Sequence, residues 1–301
     1  MSKAITPLQN KVTIQTWRSR KRRGIPISMM TAYDYTAARL VEKAGIDVIL
    51  VGDSLNMVML GQPNTTSITM DEMIHHCKAV SRGASLPFLI GDMPFLSYQT
   101  STAEAVRNAG RFLKEAGMDA VKMEGGERVA DKVTAVVNAG IPVMGHIGLT
   151  PQTLSQLGGY RVQGKTAVAA RQLLRDAYAL QDAGCFAIVL ESIPAPIASA
   201  ITKRLDISTI GIGAGLGCDG QVLVFHDALG LFDDLLPRFV KRYANVGDVM
   251  VEALAQYRTE VREGSFPQPE HTYEIPQAQL EEFLAALEEV ERGEFGVKEE
   301  M

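Results

Sequence analysis

Seven polar residues stand within or just after short apolar runs of the 301-residue chain. Asp53 and Ser54 follow the run Val48–Val51, and Asp92 follows 86–90. Lys122 and Glu124 end 119–123, His146 follows 141–144, and Glu191 follows 186–190. Each has a plain structural role open to it: a turn or helix cap for the carboxylates, a surface charge for Lys122, a satisfied buried histidine for His146. Together they are harder to explain that way, because a packed core has no need for polar ends on five successive strands. Carboxylates with no cysteine and one nearby histidine form a hard-oxygen set, which suits Mg2+ and disfavours zinc. Mg2+ beside a lysine points to an oxygen-rich anion such as a 2-oxo acid. The metal would act as a Lewis acid and stabilise the enolate formed when the neighbouring carbon loses its proton. Glu191, on another strand, could serve as the base. The chemistry would make or break a carbon–carbon bond.

The elements that would position these groups follow one plan. The runs are too short for helices and read as strands buried on both faces. Further strands are expected at 27–32, 209–212 and 221–225, giving eight. Four intervening helices close on the same phrase, Ala44-Gly45, Ala116-Gly117, Ala139-Gly140 and Ala183-Gly184, where Gly supplies a left-handed cap and Ala allows close packing on the sheet. Thr69 with Glu72 and Ser101 with Glu104 have capping-box spacing. The pattern predicts an α/β chain, a (β/α)8 TIM barrel forming a single domain over residues 1–264, with an open doubly wound sheet as the competitor. A leading helix is expected within 7–23, its basic run Arg18–Arg23 read as a solvated helix end, and a last long helix at 237–263. Residues 265–301 read as a carboxyl-terminal extension with an acidic amphipathic helix carrying Leu280, Phe283, Leu284, Leu287 and Val290 on one face. Residues 271–301 hold nine acidic and two basic residues, a net of −7 against +2 for the rest.

Composition narrows the partners. A net charge of −5 gives no reason to expect nucleic acid. No run approaches the roughly 20 apolar residues of a membrane span, and three scattered cysteines, Cys77, Cys185 and Cys218, fit a reducing, intracellular setting. His75 and His76 are adjacent and would not share a helix face as metal ligands. The glycine run from Gly211 to Gly217 misses the dinucleotide spacing and reads as a tight turn or a substrate loop. Ser97 and Tyr98 suggest nothing specific.

The segments Val51-Gly-Asp-Ser54, Gly91-Asp-Met-Pro-Phe95, Val121-Lys-Met-Glu-Gly-Gly126, Gly145-His-Ile-Gly-Leu-Thr-Pro-Gln152, Gly158-Gly-Tyr-Arg-Val-Gln-Gly164 and Asp219-Gly-Gln-Val-Leu-Val224 resemble the ketopantoate hydroxymethyltransferase family. With Thr31-Ala-Tyr-Asp34, Leu190-Glu191 and Ile210-Gly-Ile-Gly-Ala-Gly215 they run in the family's order from about residue 11 to about 272. The resemblance implies a Mg2+-dependent barrel that moves a one-carbon unit from 5,10-methylenetetrahydrofolate to 3-methyl-2-oxobutanoate, giving 2-dehydropantoate on the route to pantothenate. It implies that Asp53, Asp92 and Glu124 hold the metal, and that Asp53, Ser54, Asp92, Lys122 and His146 bind or line the site of the oxo acid. Glu191 would accept the proton, and the assembly would be a cytoplasmic homodecamer. Two other readings stand beside it. A 2-oxo-acid lyase of the isocitrate lyase and phosphoenolpyruvate mutase type would need a reactive loop cysteine, and a silent ligand-binding barrel would be expected to have lost part of the carboxylate set.

Overall fold

The computed structural model describes residues 7–234 and 237–292. These fall into two compact units divided between Val246 and Gly247.

In the first unit eight parallel strands close into a barrel in sequence order. They are β1 Ile27–Thr31, β2 Val48–Val51, β3 Phe88–Asp92, β4 Ala120–Glu124, β5 Val143–Gly148, β6 Ala187–Glu191, β7 Ser208–Ile212 and β8 Gly220–Leu223. The helices of this unit are α1 Ile14–Arg23, α2 Tyr35–Lys43, α3 Leu55–Val58, α4 Met70–Gly83, α5 Thr102–Ala116, α6 Ala130–Asn138, α7 Leu154–Leu157, α8 Ala167–Asp182, α9 Ala195–Thr202 and α10 Phe225–Leu229. Closure decides against the open sheet. It also explains the unbroken apolar runs of β2 and β3, whose residues are buried on both faces. One buried cluster, with Met29, Val48, Ile90, Met144, Val189 and Ile210, fills the barrel. Another, with Ile49, Leu89, Val121, Ile188 and the inner helix faces, fills the space outside it.

Strand parity aims the polar ends inward. Side chains alternate with period two, so Asp92 shares the inner face with Phe88 and Ile90, Lys122 and Glu124 with Ala120, His146 with Met144, and Glu191 with Ala187 and Val189. Register aligns the neighbours: Asp92 pairs with Lys122 and Glu124 with His146. The glycine before Asp92 faces outward, where a Cβ would lie 2.3 Å from the Phe112 ring. The repeated Gly-Asp ending thus lets α5 approach the sheet while the carboxylate turns into the mouth.

The Ala-Gly phrases close helices as expected, with Gly45, Gly117, Gly140 and Gly184 at φ +75°, +68°, +85° and +97°. Thr69 and Glu72 form a reciprocal capping box. The Ser101 pair does not: Ser101 accepts from the Glu104 amide, but the Glu104 carboxylate turns to the Thr100 hydroxyl instead. The basic run is also more than a solvated end. Helix α1 closes the barrel bottom with Trp17, 1% exposed, set edge-on to Phe88 and Phe186. Arg20 and Lys21 reach Asp47 and Asp219 at 2.5 and 2.8 Å, and Lys11 reaches Asp119 at 2.6 Å. These three carboxylates immediately precede β2, β8 and β4, so the cations clamp strand beginnings.

The last long helix starts later than its proline suggests. Residues 237–245 make turns, with Val240 N–H donating to Pro237 and Tyr243 N–H to Ala228, and the helix, α11, spans Val246–Glu263. The second unit holds most of α11 and α12, Gln277–Glu291; Phe283, Leu284, Leu287 and Val290 of α12 are exposed. Among the described residues no helix is long and apolar enough to cross a membrane.

Candidate active site

The carboxyl ends of the strands open into a cleft of about 910 Å3, counted to its open mouth. All seven residues singled out in the sequence line it. The turn at Gly52 carries Asp53 and Ser54 inward beyond β2. Neither acts as a side-chain cap of α3, so the plain capping role does not apply.

The centre is a buried charge cluster. Lys122 Nζ lies 2.9 Å from Asp92 Oδ1 and 3.3 Å from Glu124 Oε1. Asp92 Oδ2 accepts the Asp53 backbone N–H at 3.1 Å. His146 Nδ1 is 3.2 Å from Glu124 Oε1, and its Nε2 is 3.1 Å from Glu191 Oε2. Asp53, Asp92, Lys122, Glu124 and His146 are all under 5% exposed, whereas the Glu191 side chain, 14% exposed, is the carboxylate of this group most open to the cleft.

Protonation follows from these neighbours. Burial raises the Asp53 pKa well above the usual carboxylate range, and the charges of Asp92 and Glu124 add to it. Burial also raises Asp92, although Lys122 opposes it. Glu124 goes the other way: burial disfavours its charge, but Lys122, His146 and the Gln152 amide together lower it to about 2. Burial and Lys122 would keep His146 neutral, yet Glu124 and Glu191 raise it to about 9; its Nδ1 lies 3.2 Å from both Glu124 Oε1 and Lys122 Nζ. Lys122 is held charged by Asp92, Glu124 and Asp53 against the pull of burial.

Asp53, Asp92 and Glu124 each offer an oxygen within 4.8 Å of the others. Asp92 Oδ1, though near Lys122, accepts no aligned hydrogen bond. Three convergent buried carboxylates, two with pKa values raised by burial and by neighbouring charge, are what a small hard cation would relieve. The residues therefore fit a metal, and an all-oxygen set fits Mg2+ better than zinc. The His75–His76 pair takes no part: His76 Nδ1 bonds the Tyr33 carbonyl.

Sequence reading missed the groups that hold the carboxylates still. Gln152 Nε2 donates to Asp53 Oδ2 at 3.0 Å and to the Met93 carbonyl at 2.9 Å, and its backbone N–H donates to Glu124 Oε2 at 3.1 Å. Tyr98, fully buried, accepts the Glu124 N–H and donates to Gln152 Oε1, each at 2.9 Å. Tyr33 Oη and Ser54 Oγ are 2.8 Å apart. Pro151, the N1 residue of a short 3-10 turn, was the available signal for Gln152; nothing local marked Tyr98. The glycine run after β7 is a turn, with Gly213 and Gly215 at φ +64° and +80°. The three cysteines are free, and Cys77 and Cys185 are buried, which leaves no exposed thiol from that pair for a lyase loop.

Comparisons with known proteins identify the family. The family model for ketopantoate hydroxymethyltransferase matches residues 11–269. A 3-methyl-2-oxobutanoate hydroxymethyltransferase of Nitratidesulfovibrio vulgaris is 58% identical over 87% of this chain and 85% of its own. One of Moorella thermoacetica is 56% identical over 88% and 98%. Among solved structures, phosphonopyruvate hydrolase in complex with oxalate and Mg2+ superposes with a TM-score of 0.57 at 17% identity, covering 91% of this chain and 97% of that one. A 2,3-dimethylmalate lyase of the PEP mutase/isocitrate lyase superfamily gives 0.53 at 13%, covering 93% and 97%. These two share the fold. The match over most of its length and the identity to these relatives place the chain in the ketopantoate hydroxymethyltransferase family.

Proposed function

We propose that the barrel transfers a hydroxymethyl group from 5,10-methylenetetrahydrofolate to 3-methyl-2-oxobutanoate, giving 2-dehydropantoate and tetrahydrofolate with consumption of one water. The observation that carries this reading is the convergence of three buried carboxylates beside Lys122, with Glu191 on the cleft side of the same cluster, in a chain of this family.

Asp53, Asp92 and Glu124 would hold Mg2+, which when bound would supply Lewis acidity toward the carboxylate and keto oxygens of the oxo acid. Lys122 and Ser54 orient the substrate carboxylate, Lys122 by charge and Ser54 through a hydroxyl fixed by Tyr33. Glu191 takes the proton from C3. His146, between Glu124 and Glu191, holds the base in orientation. The resulting nucleophilic carbon bonds to the one-carbon unit of the folate, and water completes the hydroxyl as the carbon–nitrogen bonds break. Gln152 and Tyr98 lock the carboxylates, which limits reorganisation during the step. In this reading residues 1–264 form the catalytic body and 265–301 an accessory extension, and the working form is a cytoplasmic homodecamer.

The test is product formation. Chromatography should show 2-dehydropantoate when protein, Mg2+, oxo acid and methylenetetrahydrofolate are combined, and none when the folate is omitted or the metal is chelated. Formation of other products from the oxo acid without folate would overturn the transfer reading.

A further inference from the structure

The cleft is lopsided. Strands β2 to β6 supply its charged groups, whereas the side formed by β7, β8 and the segment after α10 is walled by Ile212, Val222, Val224, Phe232, Pro237 and Phe239. In that wall stands one carboxylate, Asp227 of α10. It is 7% exposed and accepts no hydrogen bond among the described residues; Arg242 acts on it only through its charge. Burial pushes Asp227 up to about 6. The mechanism above makes no use of it, and with no protein donor its oxygens are left to water or to a ligand in the cleft.

What could provide one is restricted. An ionised carboxylate only accepts, and it can take two parallel donors. The oxo acid has no N–H or O–H to give and carries the same charge. The pterin ring of a folate has a flat apolar body and an edge on which N3–H and the 2-amino group point the same way. Phenylalanine walls suit the former, and a carboxylate suits the latter.

We propose that Asp227 anchors the pterin ring of the folate substrate by accepting from N3–H and the 2-amino group, with Phe232 and Phe239 against the ring. This rests on the folate-dependent transfer proposed above. Asp227 is then a specificity residue for the second substrate and takes no part in proton removal from the first.

Steady-state kinetics of the Mg2+-loaded protein test it. Asp227→Ala is expected to raise KM for methylenetetrahydrofolate by about tenfold or more, the loss of at least one charge-assisted hydrogen bond. Deuterium exchange at C3 of the oxo acid, measured without folate, should fall by less than about threefold. The methylene derivative of 2-desamino-2-methyltetrahydrofolate, which lacks the 2-amino donor, serves as a second probe. Wild-type protein should prefer the natural folate by about tenfold or more, and the variant should lose most of that preference. An unchanged folate KM, or parallel losses of exchange and transfer, overturns the assignment. If Asp227→Ala fails to fold, the near-isosteric Asp227→Asn replaces it in every arm, and wild-type indifference to the 2-desamino probe overturns the assignment without any variant. Exchange without any folate-dependent transfer by the wild type overturns the co-substrate reading itself, a result distinct from transfer with an unaltered variant.

Discussion

Replacing Lys122 by methionine removes the charge at the centre of the cluster while keeping most of its length, so cavity formation contributes little. Lys122 Nζ is 2.9 Å from Asp92 and 3.3 Å from Glu124. At an effective dielectric near 20 the closer contact alone is worth about 6 kcal/mol of Coulomb attraction. Relaxation and proton uptake by one of the crowded carboxylates reduce the net loss to about 3–5 kcal/mol, the range for breaking one side of a buried pair. In EDTA the variant should therefore unfold at a clearly lower urea concentration than wild type. Added Mg2+ should narrow that gap to less than about half, because a cation that binds the native cluster stabilises it by mass action and the variant has lost a competing ammonium. Circular dichroism against urea, with and without Mg2+, reads both effects. Equal midpoints in EDTA, or a gap that Mg2+ leaves untouched, would show that Lys122 does not neutralise a metal-ready cluster.

Other outcomes follow from particular contacts. Asp53→Ala should weaken Mg2+-dependent binding of 3-methyl-2-oxobutanoate by about 10²-fold or more in calorimetry while the far-ultraviolet spectrum stays native. Trp17→Ala should cost about 3–5 kcal/mol, since the indole is 1% exposed at the barrel bottom against Phe88 and Phe186; a loss under about 1 kcal/mol in denaturant titrations would mean that α1 is not a structural plug. Asp227, pushed up to about 6 by burial, stabilises the fold at acid pH, and that contribution is lost as pH rises through its folded value. The stability difference between Asp227→Asn and wild type should therefore shift in the variant's favour by about 1–2 kcal/mol between about pH 4 and about pH 8, allowing for partial solvent screening. A constant difference would place the carboxylate in water.

The sequence carried the barrel because its dominant signals are local. Period-two burial of both strand faces produced uninterrupted apolar runs, and left-handed caps produced the Ala-Gly phrases. Strand parity then carried Asp92, Lys122, Glu124, His146 and Glu191 into one mouth. Gln152 and Tyr98 were less legible, because their partners Asp53 and Glu124 are joined to them only through tertiary structure. The same holds for the clamps at Asp47, Asp119 and Asp219: a basic helix end looks alike whether it faces water or carboxylates 27 to 198 residues away. Pro237 misplaced the start of the last long helix, since a proline suits N1 of a helix and a turn equally well.

The most direct measurement is the rate of hydrogen–deuterium exchange at C3 of 3-methyl-2-oxobutanoate, followed by NMR in D2O for wild type and Glu191→Gln. Exchange should require Mg2+ in the wild type and should slow by about 10²-fold or more in the variant while substrate binding is retained. Exchange that persists in EDTA, or a variant as fast as wild type, would contradict proton removal by Glu191 beside a metal-binding carboxylate cluster.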